Sequence, residues 1–143
     1  MSTSAVVPGT ATHTADSSAR RWAGRIMTAV TVLFLVMDGV MKLMLPPFVV
    51  KGMADVGWPV GLARPLGVIL LASVVLYAIP RTAVLGAILL TGYLGGAVAT
   101  HVRIGDPLFS HVLSPVYFGV LIWGGLYLRD ARLRALIPFR DTA

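Results

Sequence analysis

Apolar residues in this chain fall into four long blocks, about 23–45, 60–79, 82–102 and 109–128, and the breaks between them are short. Each block approaches the roughly 20 residues that a helix requires to cross a bilayer core of about 30 Å. The breaks carry Pro46 and Pro47, Pro80 and Arg81, and the run Gly105, Asp106, Pro107, all residues that punctuate helices. Backbone groups in lipid must pair within their own segment, so the pattern predicts helices rather than apolar loops. The fold class that follows is all-α, a four-transmembrane-helix bundle over residues 23–128. Residues 1–22, rich in Ser, Thr and Ala without apolar period, are expected as a disordered tail. Residues 129–143, with Arg129, Arg132, Arg134 and Arg140, are expected as a basic interfacial segment that touches anionic head groups.

Charge sets the expected orientation. An even number of spans places the tail, the Pro80–Arg81 turn and the C-terminal segment on one side. That side collects eight basic residues: Arg20, Arg21, Arg25, Arg81, Arg129, Arg132, Arg134 and Arg140. Lys42, Lys51, Arg64 and Arg103 make four on the other. The bias predicts a multi-pass protein of the cell membrane with both termini cytoplasmic. The cluster Arg20, Arg21, Arg25 precedes an apolar run too long for a signal peptide. Hydrophobic residues make up 57% of the chain and charged residues 13%, so the net charge of +6 flanks apolar segments instead of lining a soluble face. Nucleic-acid binding is therefore not expected. The absence of cysteine excludes disulfides, thiol nucleophiles and Cys-ligated metal within the chain.

The topology gathers polar residues at one end. Asp38 and Lys42 lie toward the end of helix 1, Arg64 at the start of helix 2, His101 and Arg103 at the end of helix 3, and His111 at the start of helix 4. Asp106 sits in the loop between the last two. A charge at mid-membrane costs about 2.5–3.5 kcal/mol on insertion scales, so such residues face the interior, pair with each other or mark a site. Asp38 and Lys42 are one helical turn apart in the favourable acid-first order. Thr31, Phe34, Asp38, Met41, Lys42 and Leu45 share one face at helical spacing, read as the inward face. The structural account is mutual neutralisation, with Lys42 snorkelling to the interface. In the functional account Asp38, Lys42 and His101 are the catalytic candidates, and Arg64, Tyr93, Arg103 and His111 the ligand-binding ones. His101 and His111 lack a third ligand at metal spacing, so no metal site is expected. In the third block Gly92 and Gly96 form a G-x-x-x-G pair extended by Thr100, expected to admit a neighbouring helix of the same bundle, with dimerisation as the other use. Tyr77, Tyr117, Tyr127, Trp58 and Trp123 are read as interfacial aromatics.

Three stretches, "MDGVMKL", "LYAIPRTAVLGAILLTGYLGGAVATHVRIGDPL" and "PVYFGVLIWGGLYLRDARLRALIP", together resemble the DoxX-like family of small bacterial four-span membrane proteins, over about residues 25–139. Asp38, Gly39, Lys42, Tyr93, Gly95, Gly96 and His101 match its motif. The resemblance implies a four-helix membrane bundle related to subunits of a thiosulfate:quinone oxidoreductase and to proteins of thiol and oxidative-stress defence. Three functions stay open. The first is an accessory or quinone- or lipid-binding subunit of a membrane redox or stress-defence system, with no intrinsic cofactor, a bound quinone, and a redox partner or second copy as neighbour. The second is a cofactor-independent acid/base enzyme, of isomerase, cyclase or epoxide-opening type, acting on a lipophilic small molecule through Asp38 and His101. The third is a small lipid or solute carrier, although no inverted repeat supports it.

Overall fold

The computed structural model describes residues 11–136. Six α-helices follow in order: α1 (Ala11–Met44), α2 (Pro47–Asp55), α3 (Ala63–Ala78), α4 (Ala83–Ile104), α5 (Ser114–Arg129) and α6 (Ala131–Leu136). No strand occurs among the described residues. Four segments are long and apolar enough to cross a membrane: Ser18–Met44, Val60–Ala78, Ala83–Ile104 and Leu108–Arg129. They match the four apolar blocks to within a few residues.

Three expectations change. α1 begins at Ala11, so helix extends into the stretch read as an unstructured tail. Residues 1–10 and 137–143 lie outside the described residues. The break after the first span holds an additional helix, α2, with Pro47 at its first turn where no N–H is needed. Residues 129–143 contribute α6, whose Leu133 is buried.

α1 packs against α3 and α5, and α4 also packs against α3 and α5. The four spans thus form a square, with α1 diagonal to α4. The core is a narrow column including Leu35, Leu70, Val74, Tyr77, Leu90, Leu94, Ile122 and Leu126. Outside it, Leu33, Val75, Ile88 and Val120 stand more than half exposed. Apolar surface on that scale belongs to a protein solvated by lipid. Hydroxyls along the spans are satisfied locally: the buried Thr31 and Ser73 and the exposed Thr91 each donate to the carbonyl four residues back, at 2.7–2.8 Å.

Close packing falls on other glycines than the sequence suggested. Lipid tails are as apolar as leucine, so helix association depends on close fit more than on the hydrophobic effect. At the α1–α3 crossing, a Cβ on Gly67 would lie 2.9 Å from the Gly39 carbonyl oxygen and 3.0 Å from the Lys42 Cβ. At the α1–α5 crossing, one on Gly24 would lie 2.9 Å from the Gly125 carbonyl oxygen. One on Gly86 would collide with the backbone of Tyr77. By contrast, nothing stands within 4 Å of a Cβ on Gly92, Gly95 or Gly96. The G-x-x-x-G pair therefore faces away from the bundle, which corrects the expectation that it seats a neighbouring helix of the same chain. The signal for Gly39 and Gly67 was weak because neither belongs to a short-spaced glycine pair on its own helix; the close approach is made by one from each.

Tyr77 also departs from its expected place at the interface. Its side chain is fully buried, and its hydroxyl donates to the Ile122 carbonyl at 2.9 Å with Thr28 Oγ1 at 3.4 Å, joining α1, α3 and α5. The Arg129 guanidinium lies 5.2 Å from the Tyr77 ring centroid and donates to the Tyr77 carbonyl at 3.1 Å, closing the end of α3. Trp123 reaches across from α5 to α4, donating to the exposed Thr91 Oγ1 at 2.8 Å.

Two predictions follow from the packing. Gly67→Ala lowers stability by about 1–3 kcal/mol through overpacking against α1, whereas Gly92→Ala and Gly96→Ala stay within about 0.5 kcal/mol of the parent; thermal unfolding in one detergent compares them. Tyr77→Phe costs about 1 kcal/mol by removing an interhelical hydrogen bond, within the range measured for such bonds in membranes, and the same assay reads it.

Candidate functional site

Alternating spans bring the end of α1, the start of α3, the end of α4 and the start of α5 to one end of the bundle. Each candidate residue lies on one of these elements or on the turns joining them, and the structure sorts the candidates into three groups.

The first group lies at the margin of the bundle interior. Lys42 Nζ contacts both carboxylate oxygens of Asp38, at 2.5 and 2.6 Å, with side-chain exposures of 20% for Lys42 and 37% for Asp38. The pair sits within two turns of Met44, so Asp38 lies about 9 Å below the helix end. It occupies the shoulder of α1's buried face, not its centre. The buried stripe is Gly24, Thr28, Thr31, Leu35 and Gly39, one position away from the face read in sequence. Phe34, on the same shoulder, stacks on Phe118 of α5 at 4.4 Å between centroids. Across the diagonal, Tyr93 of α4 is within electrostatic reach of Asp38 and packs against the core. Deeper than Asp38 and about midway along α4, Tyr93 forms the floor of this polar region.

The second group is built by the turn that ends α4. Gly105 takes φ 75°, the left-handed conformation open to glycine at a helix end. Its N–H bonds the Val102 carbonyl at 3.2 Å, and the Asp106 N–H returns to the His101 carbonyl at 3.1 Å. These paired bonds define a Schellman stop, which folds the residue after the glycine back over the last helical turn. That contact is often apolar. Here it places Asp106 Oδ2 2.5 Å from His101 Nδ1. Pro107 then prevents the helix from continuing. The His111 ring lies 5.8 Å from that of His101, tilted by 59°, and its Nδ1 contacts Ser110 Oγ at 2.7 Å.

Arg64 and Arg103 form the third group, and both are spent on backbone. Arg64 Nε donates to the Leu43 carbonyl at 3.4 Å, near the unpaired end of α1. Arg103 donates to the Val56 carbonyl at 2.5 Å and so ties the segment after α2 to the end of α4. Carbonyls at helix ends require such partners, since no further turn supplies N–H groups.

His101 therefore pairs with Asp106, not with Asp38 as the acid/base reading had it, and Asp38 is held by Lys42. Among the described residues no hydrogen bond or ring contact joins the two groups. Asp106 is the residue whose part was underread. Its signal was present in "HVRIGDP", where glycine, then an acid, then proline follow a histidine at the spacing of a Schellman stop. Among the described residues no group of three His, Cys, Asp or Glu side chains is placed to hold a metal ion.

The comparisons agree with this architecture. The model of the DoxX-like family matches residues 26–125, a span that contains all four membrane helices in large part and every candidate residue. The chain belongs to the DoxX-like family, and with four apolar helices it is a multi-pass membrane protein in contact with a lipid bilayer. No curated protein and no solved structure matches it.

The ion pair gives a direct test. Lys42→Met leaves Asp38 half-buried without its cation and lowers stability by about 2 kcal/mol, somewhat less than for a fully buried pair, while the double variant Asp38→Leu/Lys42→Met recovers most of that loss. Unfolding of the two singles and the double in the same detergent closes the cycle.

Proposed function

We propose that this protein is an accessory membrane subunit that binds a lipophilic small molecule of the quinone or lipid type, with the molecule's polar head at the end of the bundle carrying Asp38, Lys42, Tyr93 and His101. The observation that carries this reading is the Asp38–Lys42 pair, which the chain keeps half-buried at membrane depth with Tyr93 across from it. Crossing the bilayer requires no such pair, and ionisable groups at this depth, costly even when paired, often mark a site. By the charge bias, this end faces away from the cytoplasm and both termini are cytoplasmic.

The residues present suit a quinone. The Lys42 ammonium and the Tyr93 hydroxyl are donors for its carbonyl oxygens. A groove of about 360 Å³ between α4 and α5, lined by Leu94, Val98, Val116, Val120 and their neighbours, offers apolar surface on the lipid side for a ring or tail. A bound quinone would supply electron-carrying capacity; the chain's own residues hold it and exclude water. The open Gly92, Gly95 and Gly96 face of α4 is where a redox partner or a second copy approaches.

Acid/base catalysis on the same kind of molecule is the second reading, and the His101–Asp106 pair is the observation that favours it, because it resembles the oriented base of many hydrolytic and proton-transfer sites. Under this reading the purified chain turns over a lipophilic substrate alone.

Native mass spectrometry of protein purified in nanodiscs tests the proposal. A co-purifying lipophilic molecule is expected, with retention reduced at least about tenfold in Lys42→Met. Preparations that retain no such molecule, and show no affinity for added ubiquinone, would contradict it. Co-purification of a partner that survives Gly96→Leu would remove the α4 face from the account.

A further inference from the structure

We propose that Asp106 is a positioning residue that holds His101 in its Nδ1–H form, so that His101 Nε2 accepts the proton of a weakly acidic hydroxyl, of phenol type, on the bound molecule. The inference rests on the binding role proposed above and names the chemistry of the head group.

The geometry begins with the helix stop. The Asp106 carboxylate lies 2.5 Å from His101 Nδ1 because the backbone bonds of Gly105 and Asp106 fold the chain back at that point. A carboxylate only accepts hydrogen bonds, so the proton between the two atoms belongs to Nδ1. In the neutral ring the lone pair then resides on Nε2, the role of the second nitrogen being fixed by the bond the first one makes. Both side chains are about a quarter exposed, 25% for His101 and 27% for Asp106, so the ring is held yet reachable. The other groups nearby do not compete for it. Arg103 is engaged with the Val56 carbonyl, and His111 has its Nδ1 on Ser110 Oγ with its ring beside that of His101.

An acceptor fixed in this way selects for a donor. A ligand hydroxyl hydrogen-bonds to Nε2; when its proton transfers, the O–H bond breaks, an N–H bond forms at Nε2, and the electron pair stays on the oxygen as a phenolate. The resulting imidazolium is stabilised by the Asp106 carboxylate on its other face. The reverse transfer restores both partners, and no oxidant or reductant enters the step. A ligand whose oxygen is capped by a methyl group leaves Nε2 without a donor, and the unmade hydrogen bond weakens its binding.

Two measurements on the full chain in nanodiscs test the assignment. In ¹⁵N-histidine-labelled protein at neutral pH, with the His101 resonances assigned by their loss in His101→Gln, Nδ1 is expected to be protonated and Nε2 to bear the lone pair. For binding, para-octylphenol is expected to bind about tenfold or more tighter than its methyl ether. This preference is lost in Asp106→Leu, which leaves Nδ1 without its acceptor and the tautomer unfixed, and it returns at least in part in Asp106→Glu. A wild-type ring protonated at Nε2 overturns the inference without any variant having to fold. Equal binding of phenol and ether by the wild type overturns it while leaving the binding role standing. If neither probe binds, both are overturned.

Discussion

The depth and facing of the Asp38–Lys42 pair depend on how closely α1 approaches α3. Gly39 and Gly67 bring the two backbones close, with the Leu71 side chain seated against Gly39, and in lipid this fit supplies association energy that the hydrophobic effect gives in water. Asp38 and Lys42 flank Gly39 in sequence, so the crossing fixes the depth and facing of the ion pair. A second contact of the same kind, between Gly24 and Gly125, anchors α1 to α5 near its other end. α1 is thereby clamped at two levels, and the polar residues it carries are presented toward the diagonal helix α4.

The chain handles its charges by three different physical means. Arg64, Arg103, Arg129 and Arg134 donate to carbonyls near helix ends, where the backbone runs out of internal partners. Asp38 and Lys42 neutralise one another along one helix. His101 and Asp106 are joined by a turn. The second and third present complementary chemistry at one end of the bundle: an ion pair with a phenol in electrostatic reach of its acid in one, an oriented imidazole in the other. A molecule with an apolar body and a polar head meets both kinds of surface at one end of this protein.

The spans were legible because lipid demands long apolar helices, and residues such as Pro46, Pro80 and Pro107 mark their breaks. The family was legible in "MDGVMKL" and in the run from Tyr77 to Leu108. Pairing was harder to read, for physical reasons. Spacing within a helix reveals Lys42 as the partner of Asp38, but the partner of His101 depends on a left-handed glycine and a reversal of the chain, which helical periodicity does not describe. Nor does a motif on one helix show whether another helix covers it. Gly92 and Gly96 form the more recognisable pattern and stand open, whereas Gly39 and Gly67, in no short-spaced pair on their own helices, make the tight contact. Tyr77 lies near the end of its span, where an aromatic belt is expected, yet Ile122 and Arg129 give its polar atoms partners inside.

The central claim is that the Asp38–Lys42 pair faces toward α4 and, above Tyr93, lines a binding site. Solid-state NMR of selectively labelled protein in lipid bilayers measures this most directly. The account predicts through-space correlations from the Asp38 carboxyl carbon to Lys42 Nζ and to the Tyr93 ring in the same sample. A carboxyl carbon that correlates with lipid acyl chains, and with neither Lys42 nor Tyr93, would contradict it.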